Sequence, residues 1–459
     1  MREFSRHARQ HPSLGRDIIA LNGLSSDDES FWMAWKDAVL DIACDASDQS
    51  QLLTLIKKAV AALSGTLEGP RAVSILADLA KFVPNTLEHI IKNFESSFPY
   101  WKNPQSSDQL LNFTKNALQF STQVPQLQER IIDLLTRKIL IMDLSIRLDD
   151  VHLINNLELS KNHDNSTGPV DANVNFSGAG EKYAQEEKAR ELEESQAAQQ
   201  AHSKQVRDYA EKIDSMILAM MEFIKQSGNT RELGLFVLIS FEKHVLPSIK
   251  PKFTQILIFY CASIDNFVTD RLLGLLIAAL FARDMQLSPS APRNSSNNQI
   301  KAKAVRSTAA FLQSFLKTAK SLTEPQLKTV IELLIDWVGR KIEAMTHFSC
   351  NPFEISILAS VLEVIFDVFI NHPNFAIRND PKLIEAFKLA SSDLSASLKS
   401  QEIVVDYIEA CCSTDSSISM TTTTTETVHP PKLPYKPFEY LVLPKSLKFL
   451  LDAQVLKSQ

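Results

Sequence analysis

The chain has 459 residues, of which 44% are hydrophobic and 22% charged, and its formal net charge is −6. That length suits two or three ordinary domains or one long repeat structure, with enough apolar side chains to build a core. Eleven glycines against 25 phenylalanines leave little for tight β-turns or phosphate-cradling loops, and the acidic balance excludes a surface coated for strong nucleic-acid binding.

Residues 1–24 read as a flexible N-terminus. The opening MREFSRHARQH lacks the apolar centre of a signal peptide. Helical repeats are expected over 25–156. Ser26 and Glu29 have the spacing of a capping box ahead of Phe31–Cys44, and Trp32 and Trp35 within that stretch read as core. Breaks fall at Gly65–Gly69, Pro84, Pro104 and Pro125. After Pro125, Ile131, Leu135, Ile139, Met142 and Ile146 fall on one helical stripe.

The tract Ser96-Ser97-Phe98-Pro99-Tyr100-Trp101-Lys102 stands out in this region. Pro99 ends a helix, and Tyr100 and Trp101 beside Lys102 offer the amphipathic area that binding hot spots favour. Covering the end of a repeat is the alternative role for these aromatics, and both readings stand at this point.

Residues 157–200 are expected to be a polar and then acidic disordered linker, with a solvated helix as a reading of its second half. Residues 181–194 hold six acids against three bases, and the first half has too few large apolar groups to offset the entropy of folding. A second set of helical repeats is expected over 201–412. Leu327, Val330, Ile331, Leu334, Trp337 and Val338 share one face after Pro325, and Thr323 with Gln326 completes another capping box. Lys301, Lys303 and Arg306 open a helix that ends in Lys317 and Lys320. Its basic face reads either as a contact for an acidic partner or as a solvated face opposite Phe311, Leu312 and Phe315. Residues 287–299 and the Ser/Thr-rich loop 413–434 expose hydroxyls open to kinases, and 435–459 form a C-terminal segment.

The periodicity supports about 13 to 15 helices in pairs with a spacing near 40 residues, hence an all-α, HEAT-like helical-repeat superhelix. No strand alternation bounded by turn residues appears. The longest apolar run, Leu272–Phe281, has ten residues, whereas a bilayer takes roughly 20, so no membrane span is expected. Cys44, Cys261, Cys350, Cys411 and Cys412 lack paired C-x-x-C spacing and read as reduced thiols. Asn112 and Asn165 match the glycosylation pattern, by chance in a chain without a secretion signal.

No catalytic constellation is legible, so no enzyme, cofactor or metal is expected. His7 and His11 have metal-sharing spacing but lack a third ligand nearby. Gly178 and Gly180 lie in a polar linker with no strand ahead of them, which a dinucleotide loop requires.

Several stretches taken together resemble the TIF-IA family of RNA polymerase I initiation factors. They are FVPNTLEHIIKNFESSFPYWK (82–102), LQERIIDLLTRKILIMDLSIR (127–147), KIDSMILAMMEFIK (212–225), FEKHVLPSIKPKFTQILIFYCAS (241–263), STAAFLQSFLKTAK (307–320), LKTVIELLIDWV (327–338), PFEISILASVLEVIFDVFINHP (352–373) and KPFEYLVLPKSLKFL (436–450). The acidic insertion stands where the family carries one. The resemblance implies a HEAT-repeat superhelix that docks on RNA polymerase I near its stalk and bridges it to promoter-bound core factor for ribosomal RNA synthesis in the nucleolus of the nucleus. It also implies regulation by phosphorylation and a homodimer when free. A serine-bearing surface faces the polymerase in this family, and Ser96 and Ser97 match part of it. The tract 314–320 resembles a motif tied to polymerase contact, with Lys317 and Thr318 where Ala and Arg are usual and Lys320 matching. Between His372 and Lys436 the chain has room for about two helices where the family carries several. A HEAT-type scaffold or transport adaptor with unrelated cargo is the alternative function.

Overall fold

The computed structural model describes residues 23–44, 49–147, 150, 179–248, 251–285, 296–347, 352–371 and 443–453. Among these, 14 α-helices form, with short 3-10 turns and one π-turn but no strand. The expectations placed on His7, His11, Asn165, residues 157–178, Cys350, Cys411, Cys412 and the hydroxyl-rich loop 413–434 lie outside the described residues. Among the described residues no helix is long and apolar enough to cross a membrane.

The chain divides into two compact units, residues 1–228 with 440–447, and residues 229–439 with 448–459. The sequence reading put the break at a linker over 157–200. The difference arises because residues 179–226 form a single 48-residue helix, so the acidic stretch continues into a packed helix, and the division falls at its C-terminal end. Gly228 there adopts φ 69°, a left-handed conformation that costs glycine little and other residues much.

In the first unit the helices are α1 (Glu29–Cys44), α2 (Gln49–Ala62), α3 (Glu68–Phe82), α4 (Leu87–Ser96), α5 (Ser107–Gln123), α6 (Gln128–Ser145) and α7 (Ala179–Gln226). Helices two apart in sequence lie side by side: α1 with α3, α3 with α5 and α5 with α7 in one layer, α2 with α4 and α4 with α6 in the other. This is helix-pair stacking, the arrangement of a helical repeat. Ion pairs tie successive repeats in constant register. Arg71 pairs with Glu29 at 2.9 Å and Lys36 with Asp78 at 2.7 Å, while Arg130 pairs with Glu88 and Arg137 with Glu95. Each couple is 42 residues apart in sequence, so α1 and α3, and likewise α4 and α6, run parallel.

The repeat also shows in its turns. Val83-Pro84 and Val124-Pro125 both end a helix and start a 3-10 turn, with Val83 at φ −130°, ψ 76° and Val124 at φ −131°, ψ 75°. A residue before proline is driven out of the helical region, so both helices stop there and the proline opens the next. The first helix starts differently from expectation. Asp28, not Ser26, receives the N–H groups of Ser30 (2.9 Å) and Phe31 (3.2 Å), and Glu29 turns to Arg71 instead of closing a capping box. A carboxylate one residue before the helix meets the free N–H groups most directly. Trp32 and Trp35 are core, 4% and 0% exposed, and a side chain on Gly23 would collide with the Trp35 ring.

Residues 443–447 also belong to the first unit. The buried Asp214 on α7 receives the N–H groups of Lys445 and Ser446, both at 2.8 Å, and so caps the start of α14 (Pro444–Asp452).

The second unit contains α8 (Thr230–Ser240), α9 (Ile256–Ile264), α10 (Asn266–Met285), α11 (Ser296–Thr318), α12 (Glu324–His347) and α13 (Pro352–Asn371). Here α8, α10 and α12 adjoin in one row, and α11 lies against both α10 and α13. Gln326 donates to Asp270 at 2.6 Å and Trp337 stacks on Phe281 at 5.9 Å, two links 56 residues apart that set α10 and α12 parallel. The capping box at α12 forms as read: Thr323 N–H donates to Gln326 Oε1 at 2.9 Å, and Gln326 N–H to Thr323 Oγ1 at 3.4 Å. Cys261 is a packing residue, fully buried, with its thiol pushed by burial up to about 12. The π-turn Phe241–Val245 follows α8 directly.

Candidate protein-docking turn

The tract 96–102 sits at the C-terminal end of α4. The Ser97 N–H donates to Asn93 O at 2.8 Å and Ser96 Oγ donates to the same carbonyl at 3.2 Å, which closes the last helical turn before Pro99 forbids another. Lys138, from α6, donates to Glu95 O at 3.2 Å and stands 5.0 Å over the Phe98 ring. A cation there meets the free carbonyls at the negative end of α4. Burial, ahead of the opposing pull of Glu95 and the push of Arg137, holds the Lys138 ammonium below its ordinary 10.5. Phe98 is half-buried and meets Phe113 edge-on at 5.4 Å.

After Pro99 the chain makes a tight turn in which Asn103 N–H donates to Tyr100 O at 3.1 Å. Asn103 Oδ1 accepts the Gln105 N–H at 3.1 Å and so caps the 3-10 turn that leads into α5. Tyr100 is 68% exposed. Lys102 is exposed and lies 5.3 Å over the Trp101 ring. Trp101 itself is only half-exposed, because its ring meets Tyr209 of α7 edge-on at 4.9 Å. Thus the five site residues expected here come together, but adjacent residues take opposite roles: Tyr100 and Lys102 point outward while Trp101 anchors. Ser96 is exposed and Ser97 half-buried.

Lys317 and Lys320 belong to the second unit. Lys320 is exposed and Lys317 half-buried. The rest of the tract is interior: Ser314 is 7% exposed, Phe315 and Leu316 0%, and Ala319 4%. Phe315 meets Phe259 at 5.1 Å. The reading of 314–320 as a contact tract therefore narrows to its two lysines, because α11 packs against α10 on one side and α13 on another. Of the basic run that opens α11, Lys303 is exposed and Arg306 half-buried.

The site residue that sequence reasoning missed is Lys212. Its amine is fully buried and donates to Trp101 O (3.1 Å), Asn103 O (2.7 Å) and Asp208 Oδ2 (2.6 Å). Asp208 lies one turn away, but nothing local marks that the two carbonyl partners lie about a hundred residues off. Among the described residues, no group of three or more His, Cys, Asp and Glu side chains could hold a metal. The Asn112 side chain donates to Ser64 O at 3.3 Å, which engages the amide in packing between α5 and the end of α2.

The model of the family described as RNA polymerase I specific transcription initiation factor RRN3 matches residues 49–358. The chain belongs to this family. The matched region runs from α2 into α13 and contains both the 96–102 turn and the 314–320 tract. Among solved structures, the chain is similar to the one titled "Crystal Structure of RNA Polymerase I Transcription Initiation Factor Rrn3", with a TM-score of 0.64, 14% identity, and coverage of 99% of this chain and 88% of that one. At that identity the likeness speaks for the fold. A comparison with curated proteins returns no match. As an RRN3-family member the chain is an RNA polymerase I initiation factor, and its business is with that polymerase.

Proposed function

We propose that this RRN3-family chain works as a protein bridge, contacting RNA polymerase I near its stalk through the 96–102 turn and promoter-bound core factor through other surfaces. The observation that carries the reading is Tyr100, a large aromatic 68% exposed on a turn whose next residue, Trp101, is anchored against Tyr209. A rigid, amphipathic side chain presented this way loses little entropy on docking. Lys102 beside it supplies charge for a partner carboxylate, and Lys317 and Lys320 offer a second basic contact in the other unit. The action belongs to the nucleus, at the nucleolar ribosomal RNA genes.

Ser96 and Ser97 give this surface its control. They lie at the C-terminal end of α4, where backbone carbonyls already concentrate negative charge, and next to Glu95. A phosphate there meets repulsion from both, so modification loosens the turn and opposes docking. The free chain is read as a homodimer that gives way to the polymerase.

The test is capture of purified RNA polymerase I on the full-length chain. Wild type is expected to retain the polymerase, and Tyr100→Ala and the pair Ser96→Glu with Ser97→Glu to retain much less. Equal retention by all three would remove the turn from the interface. No retention by the wild type would favour an adaptor with other cargo.

A further inference from the structure

The docking turn is not self-supporting. Its local hydrogen bonds close α4 and tie Asn103 to the following 3-10 turn, through Ser106 N–H and Oγ on its carbonyl and Gln105 N–H on its side chain, while the Asn103-to-Tyr100 bond closes the turn itself. The support from outside the turn comes from α7. Lys212 Nζ has three hydrogens to donate, and the three acceptors around it, Trp101 O, Asn103 O and Asp208 Oδ2, use all of them. Two of those acceptors are backbone carbonyls that bracket Lys102. One turn earlier on α7, Tyr209 receives the edge of the Trp101 ring at 4.9 Å, lies 5.9 Å below Lys212 Nζ, and is itself bonded to Gln205. Residue 101 is therefore gripped at its ring and its carbonyl, and residue 103 at its carbonyl. With those points set, Tyr100 and Lys102 are left exposed on the turn.

We infer that Lys212 is a positioning residue of the polymerase-docking turn, acting from the buried face of α7 to present Tyr100 and Lys102 without touching the partner. The inference rests on the docking role proposed for the turn. A lysine with zero exposure is costly to bury, and three acceptors retain it here, one of them, the Asn103 carbonyl, shared with the N–H and hydroxyl of Ser106 at 3.1 and 2.7 Å. Arginine does not replace it. Its guanidinium sends donors outward in a plane, whereas these acceptors converge on one atom. The clamp also makes α7, the helix that begins in the acidic stretch 181–194, the element on which the turn depends. Displacement of α7 releases the turn.

The experiment compares full-length wild type, Lys212→Met, Tyr100→Ala and Leu79→Ala, the last a fully buried α3 residue whose loss destabilises the same unit. Two quantities are read: deuterium uptake at amides 98–106, and dissociation from immobilised RNA polymerase I. Lys212→Met is expected to raise uptake across 98–106 and to dissociate about tenfold faster, while Leu79→Ala, with a comparable loss of thermal stability, dissociates at the wild-type rate. If Lys212→Met does not fold, Lys212→Arg, which keeps the charge beside Asp208, is expected to show the same two changes. Wild-type dissociation by a folded Lys212 variant, or equally fast dissociation by Leu79→Ala, overturns the inference alone. Failure of the wild type to bind, or unchanged binding by Tyr100→Ala, instead overturns the docking role of the turn.

Discussion

The tracts 96–102 and 314–320 contain the same ingredients, serine, aromatic and lysine, and the folded chain uses them in opposite ways. In the first unit the tract follows a helix end, so its backbone leaves the layer and Tyr100 stands 68% exposed. In the second it lies inside a helix flanked by α10 and α13, and Ser314, Phe315 and Leu316 are core. Composition gives a tract its chemistry, but the number of neighbours around its helix decides whether a partner can reach it.

Four substitutions test that contrast. Phe315→Ala removes a ring with zero exposure and is expected to cost the second unit about 3–5 kcal/mol, read as a shift of its urea midpoint, whereas Tyr100→Ala changes stability by no more than about 0.5 kcal/mol. A surface-like cost for Phe315→Ala would break the comparison. Next comes Ser314→Glu, which forces a carboxylate into a site 7% exposed and is expected to cost roughly 2–4 kcal/mol. Its counterpart Ser96→Glu, on an exposed residue, is expected to leave the thermal midpoint within about 2 °C. A drop from Ser96→Glu as large as that from Ser314→Glu would show that the turn is not a free surface.

A smaller effect is expected from Asp214→Asn, which leaves one acceptor oxygen for two N–H groups at the start of α14. The expected loss is about 1–2 kcal/mol, visible as faster proteolysis at 443–447. The smallest is a matter of pH. The hydrogen bond from Arg130, followed by its charge, holds the Glu88 carboxyl below its ordinary 4.5. A lowered folded value means this rung supports the fold fully above the unfolded value and loses that support as pH falls through the folded one. Glu88→Gln is therefore expected to lower the thermal midpoint slightly at neutral pH, by about a degree or two, and to flatten its decline in acid so that the two curves converge there. An identical acid limb in wild type and variant would remove the inter-repeat ion pairs from the account of stability.

Much of the fold was legible in the sequence because its causes are local. Proline after valine stops a helix wherever it occurs, Thr323 and Gln326 lie within one turn of each other, and the stripe Ile131–Leu135–Ile139–Met142 needs only the helical period. The repeat spacing near 40 also emerged from breaks alone, and the ion pairs now set it at 42 in the first unit. The extent of α7 was less legible, since residues 181–194 are mostly charged, whereas buried apolar residues along the helix begin at Val206. The site was half legible: aromatic and basic residues after a helix-ending proline mark a candidate, but nothing local separates Tyr100 from Trp101.

The sequence by itself thus determined the helices, their stops and caps, and the class to which the chain belongs, through propensities that act over one or two turns. Tertiary structure alone decided which side chains face outward. The anchor at Trp101 comes from Tyr209 and Lys212, the cap of α14 comes from Asp214, and the burial of Ser314 comes from α10 and α13. Those choices depend on hydrogen bonds and packing between residues from 50 to more than 200 positions apart, and no period or motif along the chain encodes them.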